Sequence, residues 1–233
     1  MRLVLWDIDG TLVRAGNHGR MAFADAFGRV FGRPTEIDDL PMSGRTDHAI
    51  CLELLERNGV AGGVAGGEEH LPAMFDALNA ALVERREAMA ADGDVMPGVP
   101  EALEALGNRD DIHQSLLTGN IEANAHVKLG AFGLDRLIDM EVGGYGSDSG
   151  IRPELVDVAR EKAARLRGID VEARDTVLIG DTPLDVHAAH VNGARAIALA
   201  TGSFGSVELR ATGAEAVLED ASDLAALIDA VLG

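Results

Sequence analysis

The chain has 233 residues, enough for one large domain or for one domain with a smaller insert. Hydrophobic residues make up 47% and charged residues 25%, which is typical of a globular protein, and no apolar run is long enough to cross a membrane. The formal net charge of −19 argues against nucleic acid or an anionic membrane surface as a partner. A single cysteine and an N-terminus that runs directly into a strand, with no signal peptide, predict a cytoplasmic protein.

The first predicted strand ends in two aspartates. Residues 3–6 form a short apolar run, which predicts a strand buried on both faces of a parallel sheet. Asp7 and Asp9 follow, and Gly10-Thr11 is a turn signal. Side chains at i and i+2 of a strand point the same way, so both carboxylates would lie at the carboxyl end of the strand, where open α/β sheets bind ligands. Two carboxylates this close favour the binding of a hard divalent cation, with Mg²⁺ as the first candidate. If this motif is considered alone, the alternative is a solvated Asp-rich turn after the strand.

Residues 15–92 carry helical patterns and no strand signal. Apolar residues recur at helical spacing in three stretches, 19–31, 47–58 and 69–91. The Gly-rich stretch 61–67 is predicted to be a flexible turn between the second and third helices. Sheet-like sequence bounds this block on both sides, so we expect it to fold as a helical insert, the cap domain, within an α/β core formed by 1–14 and 93–233.

From residue 93 onward, predicted strands and helices alternate. The predicted strands cover 113–118, 137–142, 176–179, 194–199 and 217–218, and the predicted helices cover 98–106, 121–130, 153–166, 183–191 and 224–232. Strands that alternate with helices of this length predict a Rossmann-like α/β fold with a parallel sheet and right-handed crossovers.

Three of the strands end in polar turns, at Asp7-Ile8-Asp9, at 118–120 and at 180–181. In a parallel sheet these ends lie along one edge, so carboxylates, a hydroxyl and the free N–H groups of two helix starts would meet there, near the loop that carries Arg152. A carboxylate, a divalent cation, an anion cradle and a fixed guanidinium are the groups that phosphoryl transfer requires.

These motifs resemble those of the haloacid dehalogenase superfamily, and within it the phosphoglycolate-phosphatase-like hydrolases. The sequence DIDGTL at 7–12 resembles the first motif of the family, LLTGN at 116–120 is similar to the second, and GDTPLD at 180–185 resembles the fourth. The helical block lies between the first and second motifs, as the helical cap of the family does. The resemblance covers the whole chain and implies a Mg²⁺-dependent phosphatase acting on a small phosphorylated metabolite.

The resemblance also implies a role for each motif residue. Asp7 would be the nucleophile that forms an aspartyl-phosphate, and Asp9 would be the general acid and then the base. Mg²⁺ would be bound by Asp7, the backbone carbonyl of Asp9 and Asp181, while Asp185 would orient a metal-bound water or a basic neighbour. Thr118 and Arg152 are predicted to take part in catalysis as well. The predicted substrate and phosphate ligands are Gly10, Thr11, Thr118, Gly119, Asn120, Arg152 and Arg45.

The third motif departs from the family pattern, which places a lysine ahead of a proline. Here Arg152-Pro153 occupies the matching stretch. Arginine keeps the charge but has a different shape, so Arg152 is expected to be the cationic residue, with a solvated loop arginine as the alternative. The two lysines of the chain, Lys128 and Lys162, are predicted to be surface residues.

Two other functions stay open at this point. One is a phosphomutase of the β-phosphoglucomutase type, which would return the phosphoryl group to a sugar. The other is a non-catalytic module of the same fold that binds a phospho-ligand or a protein. Dehalogenation is not expected, because the halide-releasing branch of the superfamily lacks the second aspartate that this chain has at Asp9.

Overall fold

A computed structural model describes residues 1–35, 37–60 and 64–233. In these residues the main sheet has six parallel strands in the order β5-β4-β1-β6-β7-β8. Their bounds are β1 Arg2–Trp6, β4 Ile112–Thr118, β5 Gly144–Tyr145, β6 Thr176–Gly180, β7 Arg195–Leu199 and β8 Ala216–Leu218. A separate antiparallel pair, β2 Val13–Arg14 and β3 Asp94–Val95, joins the chain segments that lead into and out of the helical block.

Strand β1 lies inside the sheet between β4 and β6, and its side chains alternate between two apolar clusters. Leu3 and Leu5 pack on one face, and Val4 and Trp6 pack on the other. The first face is covered by α8 Glu154–Arg167, α9 Pro183–Val191 and α10 Ser206–Ala211; the second by α6 Val99–Gly107, α7 Glu122–Phe132 and α11 Leu224–Leu232. A strand buried on both faces is what its continuous apolar run predicts, and the predicted Rossmann-like α/β fold is confirmed.

Residues 15–92, called the helical segment from here on, pack around a third apolar cluster, which includes Phe27, Leu54 and Leu78. Its helices are α1 His18–Phe31, α2 Asp47–Arg57, α3 Val64–Gly67, α4 Leu71–Glu84 and α5 Arg86–Asp92. The turn predicted at 61–67 falls partly outside the described residues, and its last four residues form α3. The cluster also includes Ile121, which precedes α7, so the helical segment is packed against the sheet domain at that point.

Two predicted elements differ from the structure. The single helix predicted over 69–91 is instead two helices, α4 and α5, with a turn at Arg85. The strand predicted over 137–142 is wrong as well, because a short 3-10 turn, Asp135–Leu137, ends at the first residue of that segment and the strand begins only at Gly144. Ile138 and Met140 are buried among core residues, and this burial explains the apolar pattern without a strand ladder.

None of the helices in the described residues is long and apolar enough to cross a membrane.

Candidate active site

The three polar strand ends meet at one edge of the sheet, as their sequence positions predict. Asp7 directly follows β1, Thr118 ends β4, and Asp181 directly follows β6. These three strands are neighbours in the sheet, so their carboxyl ends converge. Together with residues of the helical segment they line a cavity of about 380 Å³.

Three buried carboxylates are crowded together at this edge of the sheet, and two of them, Asp7 and Asp181, line the cavity. Oxygens of Asp7, Asp181 and Asp185 all lie within 4.8 Å of one another. Burial raises the pKa of Asp7 to about 6, although the charge of Arg152 opposes the shift. Burial, followed by the charges of Asp7 and Asp185, raises the pKa of Asp181 to about 8. Acidic oxygens this close are a donor set that suits a hard divalent cation such as Mg²⁺, which would favour their ionised forms.

Glycines leave room for the Asp181 carboxylate. Gly10 has a φ of +86°, and a Cβ built there would lie 2.5 Å from Asp181 Oδ2. A Cβ on Gly202 would lie 1.7 Å from the same oxygen. The hydroxyl of Thr11 donates a hydrogen bond to Asp181 Oδ1 at 2.9 Å. The Gly10-Thr11 turn therefore has two functions: it reverses the direction of the chain, and it leaves space for and hydrogen-bonds the carboxylate that follows β6.

Arg152 is buried beside Asp7. Its Nη2 lies 3.1 Å from Asp7 Oδ1, and its Nε and Nη2 donate to Asp185 Oδ1 at 3.0 and 2.5 Å. Burial opposes its charge, but the carboxylates of Asp185 and Asp7 outweigh that effect and raise the pKa of Arg152. With 6% of its surface exposed, Arg152 is not the solvated loop arginine considered as an alternative.

Asp185 is held on both sides. Its Oδ2 accepts hydrogen bonds from the N–H and the hydroxyl of Thr182, at 3.0 and 2.7 Å, in a capping box that begins α9. Its Oδ1 is the oxygen that accepts from Arg152. The resemblance implied that Asp185 orients either a metal-bound water or a basic neighbour. Asp185 contacts such a basic neighbour, Arg152.

Lys128 contacts Asp9, and its prediction as a surface residue is wrong. The Lys128 side chain is buried in α7, and its Nζ lies 2.7 and 2.5 Å from the two carboxylate oxygens of Asp9. Asn120 Nδ2 donates to Asp9 Oδ2 at 2.8 Å. Desolvation raises the pKa of Asp9, but the charge of Lys128 and the hydrogen bonds from Lys128 and Asn120 outweigh it and lower that pKa below its usual value.

Lys128 shares one face of α7 with another buried polar residue. The buried residues of α7 include Asn124 and Lys128, which are four positions apart and therefore share one face of the helix, and Ala125 and Leu129, which lie beside them. Lys162, by contrast, is half-buried away from the cavity, where it bonds Asp148 at 2.9 Å.

A model of the haloacid dehalogenase-like hydrolase family matches residues 4–190 of this sequence. The chain belongs to the haloacid dehalogenase-like hydrolases. The superfamily that the sequence resembles is thus confirmed. A comparison of the sequence with curated proteins finds no match.

Solved structures with the fold of this haloacid dehalogenase-like hydrolase include a hydrolase from Pseudomonas syringae, which is 22% identical and aligns over 98% of both chains with a TM-score of 0.70. A β-phosphoglucomutase from Clostridium difficile is 15% identical and aligns over 100% of this chain and 97% of its own, with a TM-score of 0.73. A predicted phosphoglycolate phosphatase from Haemophilus somnus is 17% identical and aligns over 98% of both chains, with a TM-score of 0.65. At these identities the likeness shows the fold alone.

The second motif of this haloacid dehalogenase-like hydrolase forms a tight turn over the site. The Thr118 hydroxyl accepts hydrogen bonds from the N–H and the side-chain amide of Asn120, at 3.3 and 2.9 Å. Gly119 lies against the helical segment so closely that a Cβ on it would be 1.9 Å from the carbonyl oxygen of Arg45. All three residues line the cavity, and their role as phosphate ligands stays a prediction.

Arg45 lines the cavity, but its guanidinium is bonded within the helical segment. It donates to the carbonyl of Pro41 at 2.9 Å and pairs with the carboxylate of Glu53 at 2.6 Å. Its predicted contact with substrate stays a prediction.

The loop before α2, together with the first residue of that helix, fastens the helical segment to the sheet domain. The N–H of Asp47 donates to the Gly119 carbonyl at 2.6 Å, and the Asp47 carboxylate accepts from the N–H of Ile121 at 2.9 Å. The Thr46 hydroxyl donates to the Gly150 carbonyl at 2.9 Å. Burial raises the pKa of Asp47 to about 6, with the charge of Lys128 opposing the shift. The loop thus contacts the turns of both the second and the third motifs.

Proposed function

We propose that the protein is a Mg²⁺-dependent phosphatase that hydrolyses a small-molecule phosphomonoester through an aspartyl-phosphate intermediate. The observation that carries the proposal is the surroundings of Asp7. Its carboxylate lines a cavity beside two further buried carboxylates, with the Arg152 guanidinium 3.1 Å away. This arrangement combines a nucleophile, a cation site and a fixed positive charge, which are the groups that phosphoryl transfer uses.

The residues that would hold Mg²⁺ are Asp7, Asp181 and the backbone carbonyl of Asp9. When bound, the ion supplies Lewis-acid polarisation of a phosphoryl oxygen and neutralises charge between the carboxylates. Asp185 is the third acid of the cluster, but its oxygens already accept bonds from Arg152 and Thr182. It therefore fits the task of orienting its neighbours better than that of a direct ligand.

The proposed reaction uses Asp7 as nucleophile. A carboxylate oxygen of Asp7 attacks phosphorus, and the bond from phosphorus to the alcohol oxygen breaks as an acyl phosphate forms on Asp7. Arg152 neutralises the transferred group and holds Asp7 in place. Because Asp7 is 5% exposed and Arg152 is 6% exposed, their attraction is little screened by water.

Asp9 is positioned for both proton transfers. Its side chain is 46% exposed, towards the cavity, so a leaving alcohol can reach it. Because Lys128 and Asn120 lower its pKa, Asp9 starts ionised; it would take a proton from the monoanionic phosphate of the substrate and pass it to the alcohol oxygen, and later accept one from the water that attacks the acyl phosphate, releasing inorganic phosphate and free Asp7. Lys128 and Asn120 fix the direction of this carboxylate.

The helical segment is proposed to act as a cap over the reaction. Residues of α1, α4 and the loop before α2 line the cavity opposite the strand ends. Enclosure would exclude bulk water while the acyl phosphate exists. A cavity of about 380 Å³ suits a small metabolite.

The test is turnover of p-nitrophenyl phosphate and a panel of small phosphomonoesters, with Mg²⁺ and with EDTA. We expect Mg²⁺-dependent release of phosphate by the wild type and a loss of about 10³-fold or more in Asp7→Asn and Asp181→Asn. Asp157→Asn changes an exposed acid on α8 and should match the wild type. Circular dichroism checks that each variant is folded. Retention of most activity by Asp7→Asn would contradict the proposal.

The same panel separates the other two functions. With a sugar monophosphate as substrate, free phosphate is expected, and accumulation of the isomeric sugar phosphate would instead indicate a mutase. Binding of phosphoesters with no Mg²⁺-dependent turnover of any of them would indicate a non-catalytic module.

A further inference from the structure

We propose that the substrate of this site carries its phosphate on an uncharged, hydroxyl-bearing leaving group, and that phosphomonoesters whose leaving group bears a carboxylate are disfavoured. The inference rests on the proposed phosphatase function and adds the class of alcohol that is released. It follows from the contacts that the positively charged side chains around the cavity already make within the protein.

The two cations on the sheet side of the cavity are bound to catalytic carboxylates. Lys128 contacts both oxygens of Asp9, and Arg152 contacts Asp7 and Asp185. Both side chains are buried, at 5% and 6% exposure, so neither can turn towards solvent to meet a second anion. Any positive charge that Lys128 and Arg152 still offer to a substrate is needed by the phosphoryl group itself.

The two cations on the helical side are bound within the helical segment. Arg20 donates to the carbonyl oxygens of Ile37, Asp38 and Leu40, at 2.5, 3.2 and 2.9 Å. Arg45 pairs with the carboxylate of Glu53 at 2.6 Å, and Arg57 contacts the same carboxylate at 2.5 Å. Among the described residues that line the cavity, no further arginine or lysine is present.

Uncharged polar groups, by contrast, are free to bind a ligand. Asn17, Ser43 and Ser203 line the cavity and are exposed, and within the described ranges their side chains make no hydrogen bond. Apolar side chains such as Phe23 and Leu78 complete the wall. Amide and hydroxyl groups beside apolar surface match a carbon skeleton with hydroxyl groups.

A leaving-group carboxylate would also meet negative charge. Asp47 lies on the cavity wall in addition to the acids of the proposed metal site. An anion without a partner beside like charges is costly, because it loses water and gains repulsion. The same alcohol without the carboxylate avoids both costs.

The experiment compares substrates that differ only in this group. The first pair is 2-hydroxyethyl phosphate and 2-phosphoglycolate, and the second pair is glycerol 3-phosphate and 3-phosphoglycerate. We expect kcat/KM to be about tenfold or more higher for the neutral member of each pair. Each compound is also measured as a competitive inhibitor of p-nitrophenyl phosphate hydrolysis, so that a preference is recorded even where turnover is slow.

Repeating the comparison at about 0.5 M salt separates local from distant charge. The net charge of −19 repels all anions at long range, but that repulsion is screened within a few Å at this ionic strength. The preference should therefore persist. A preference that disappears in salt would overturn the proposal.

A variant tests whether the pairing of Arg45 is what excludes acids. Glu53→Gln removes the carboxylate that pairs with Arg45 and Arg57 and should raise kcat/KM for the acidic member of each pair by about threefold or more, with little change for the neutral member. Glu56→Gln makes the same charge change at an exposed position of α2 and is the matched control. Equal effects of the two variants would contradict the argument from pairing.

Two failures can be told apart. If acidic members are hydrolysed, or bound, as well as neutral ones while p-nitrophenyl phosphate turnover is normal, the inference about the leaving group is wrong and the phosphatase proposal stands. If no phosphoester is turned over with Mg²⁺, the phosphatase proposal is wrong and this inference fails with it.

Discussion

Replacing Asp181 by asparagine should remove a pH dependence from the stability of the metal-free protein. Burial and the neighbouring charges of Asp7 and Asp185 raise the pKa of Asp181 to about 8. In the unfolded chain an aspartate has a pKa of about 3.9. The folded state therefore holds this proton more tightly than the unfolded state, so the stability it contributes is fully present below about pH 4 and is lost as the pH rises through about 8.

The size of the effect follows from these two pKa values. Between about pH 6 and about pH 8 the folded protein still binds, on average, most of a proton that the unfolded chain has already lost, and each rise in pH therefore favours the unfolded chain. The free energy of unfolding should therefore fall by about 2 kcal/mol over this interval. Asparagine has no proton to lose, so this part of the decrease should be absent from Asp181→Asn.

The assay is urea unfolding of EDTA-treated protein at intervals across that pH range. Asp157→Asn should keep the wild-type slope, because Asp157 is exposed on α8. Added Mg²⁺ should stabilise the wild type more at about pH 8 than at about pH 6, since the ion binds deprotonated carboxylates, and should stabilise Asp181→Asn far less. The same slope in the wild type and in Asp181→Asn would refute the reasoning.

Three further predictions concern residues around the cavity and the helical segment. Lys128→Met should lower kcat by about tenfold or more and move the acidic limb of its pH profile to higher pH, because Lys128 lowers the pKa of Asp9, and Lys128→Arg should restore most of the activity; an unshifted limb would count against this role. Gly119→Ala should raise KM and lower the urea midpoint, because its Cβ would lie 1.9 Å from the Arg45 carbonyl oxygen, and wild-type values would show that the contact can relax. Leu54→Ala should cost about 2–5 kcal/mol in urea unfolding, because Leu54 is fully buried, and a loss below about 1 kcal/mol would contradict that packing.

The strand-end residues could be predicted from sequence because two local signals agree there. Each apolar run predicts a strand, and each polar turn predicts where that strand ends. The rule that parallel strands share an edge then places Asp7, Thr118 and Asp181 together without any knowledge of packing. Arg152 could be predicted only from its position ahead of Pro153, and its contacts with two carboxylates required the fold.

Lys128 could not be placed in the same way. It lies in the middle of a helix, and its surroundings depend on how the helical segment and the first-motif loop pack over α7. The strand predicted over 137–142 was wrong for a related reason. Its apolar residues are buried, as in a strand, but the hydrogen-bonded ladder to β4 begins at Gly144. Burial is visible in a sequence pattern, whereas backbone pairing is decided by tertiary contacts.

The central claim is that Asp7 becomes covalently phosphorylated during turnover. Acid quenching of the wild type during steady-state hydrolysis, followed by borohydride reduction and mass spectrometry, converts a phosphorylated aspartate to homoserine at its position in the chain. Homoserine is expected at residue 7, dependent on both substrate and Mg²⁺. Unmodified Asp7 during active turnover, or the label at another residue, would contradict it.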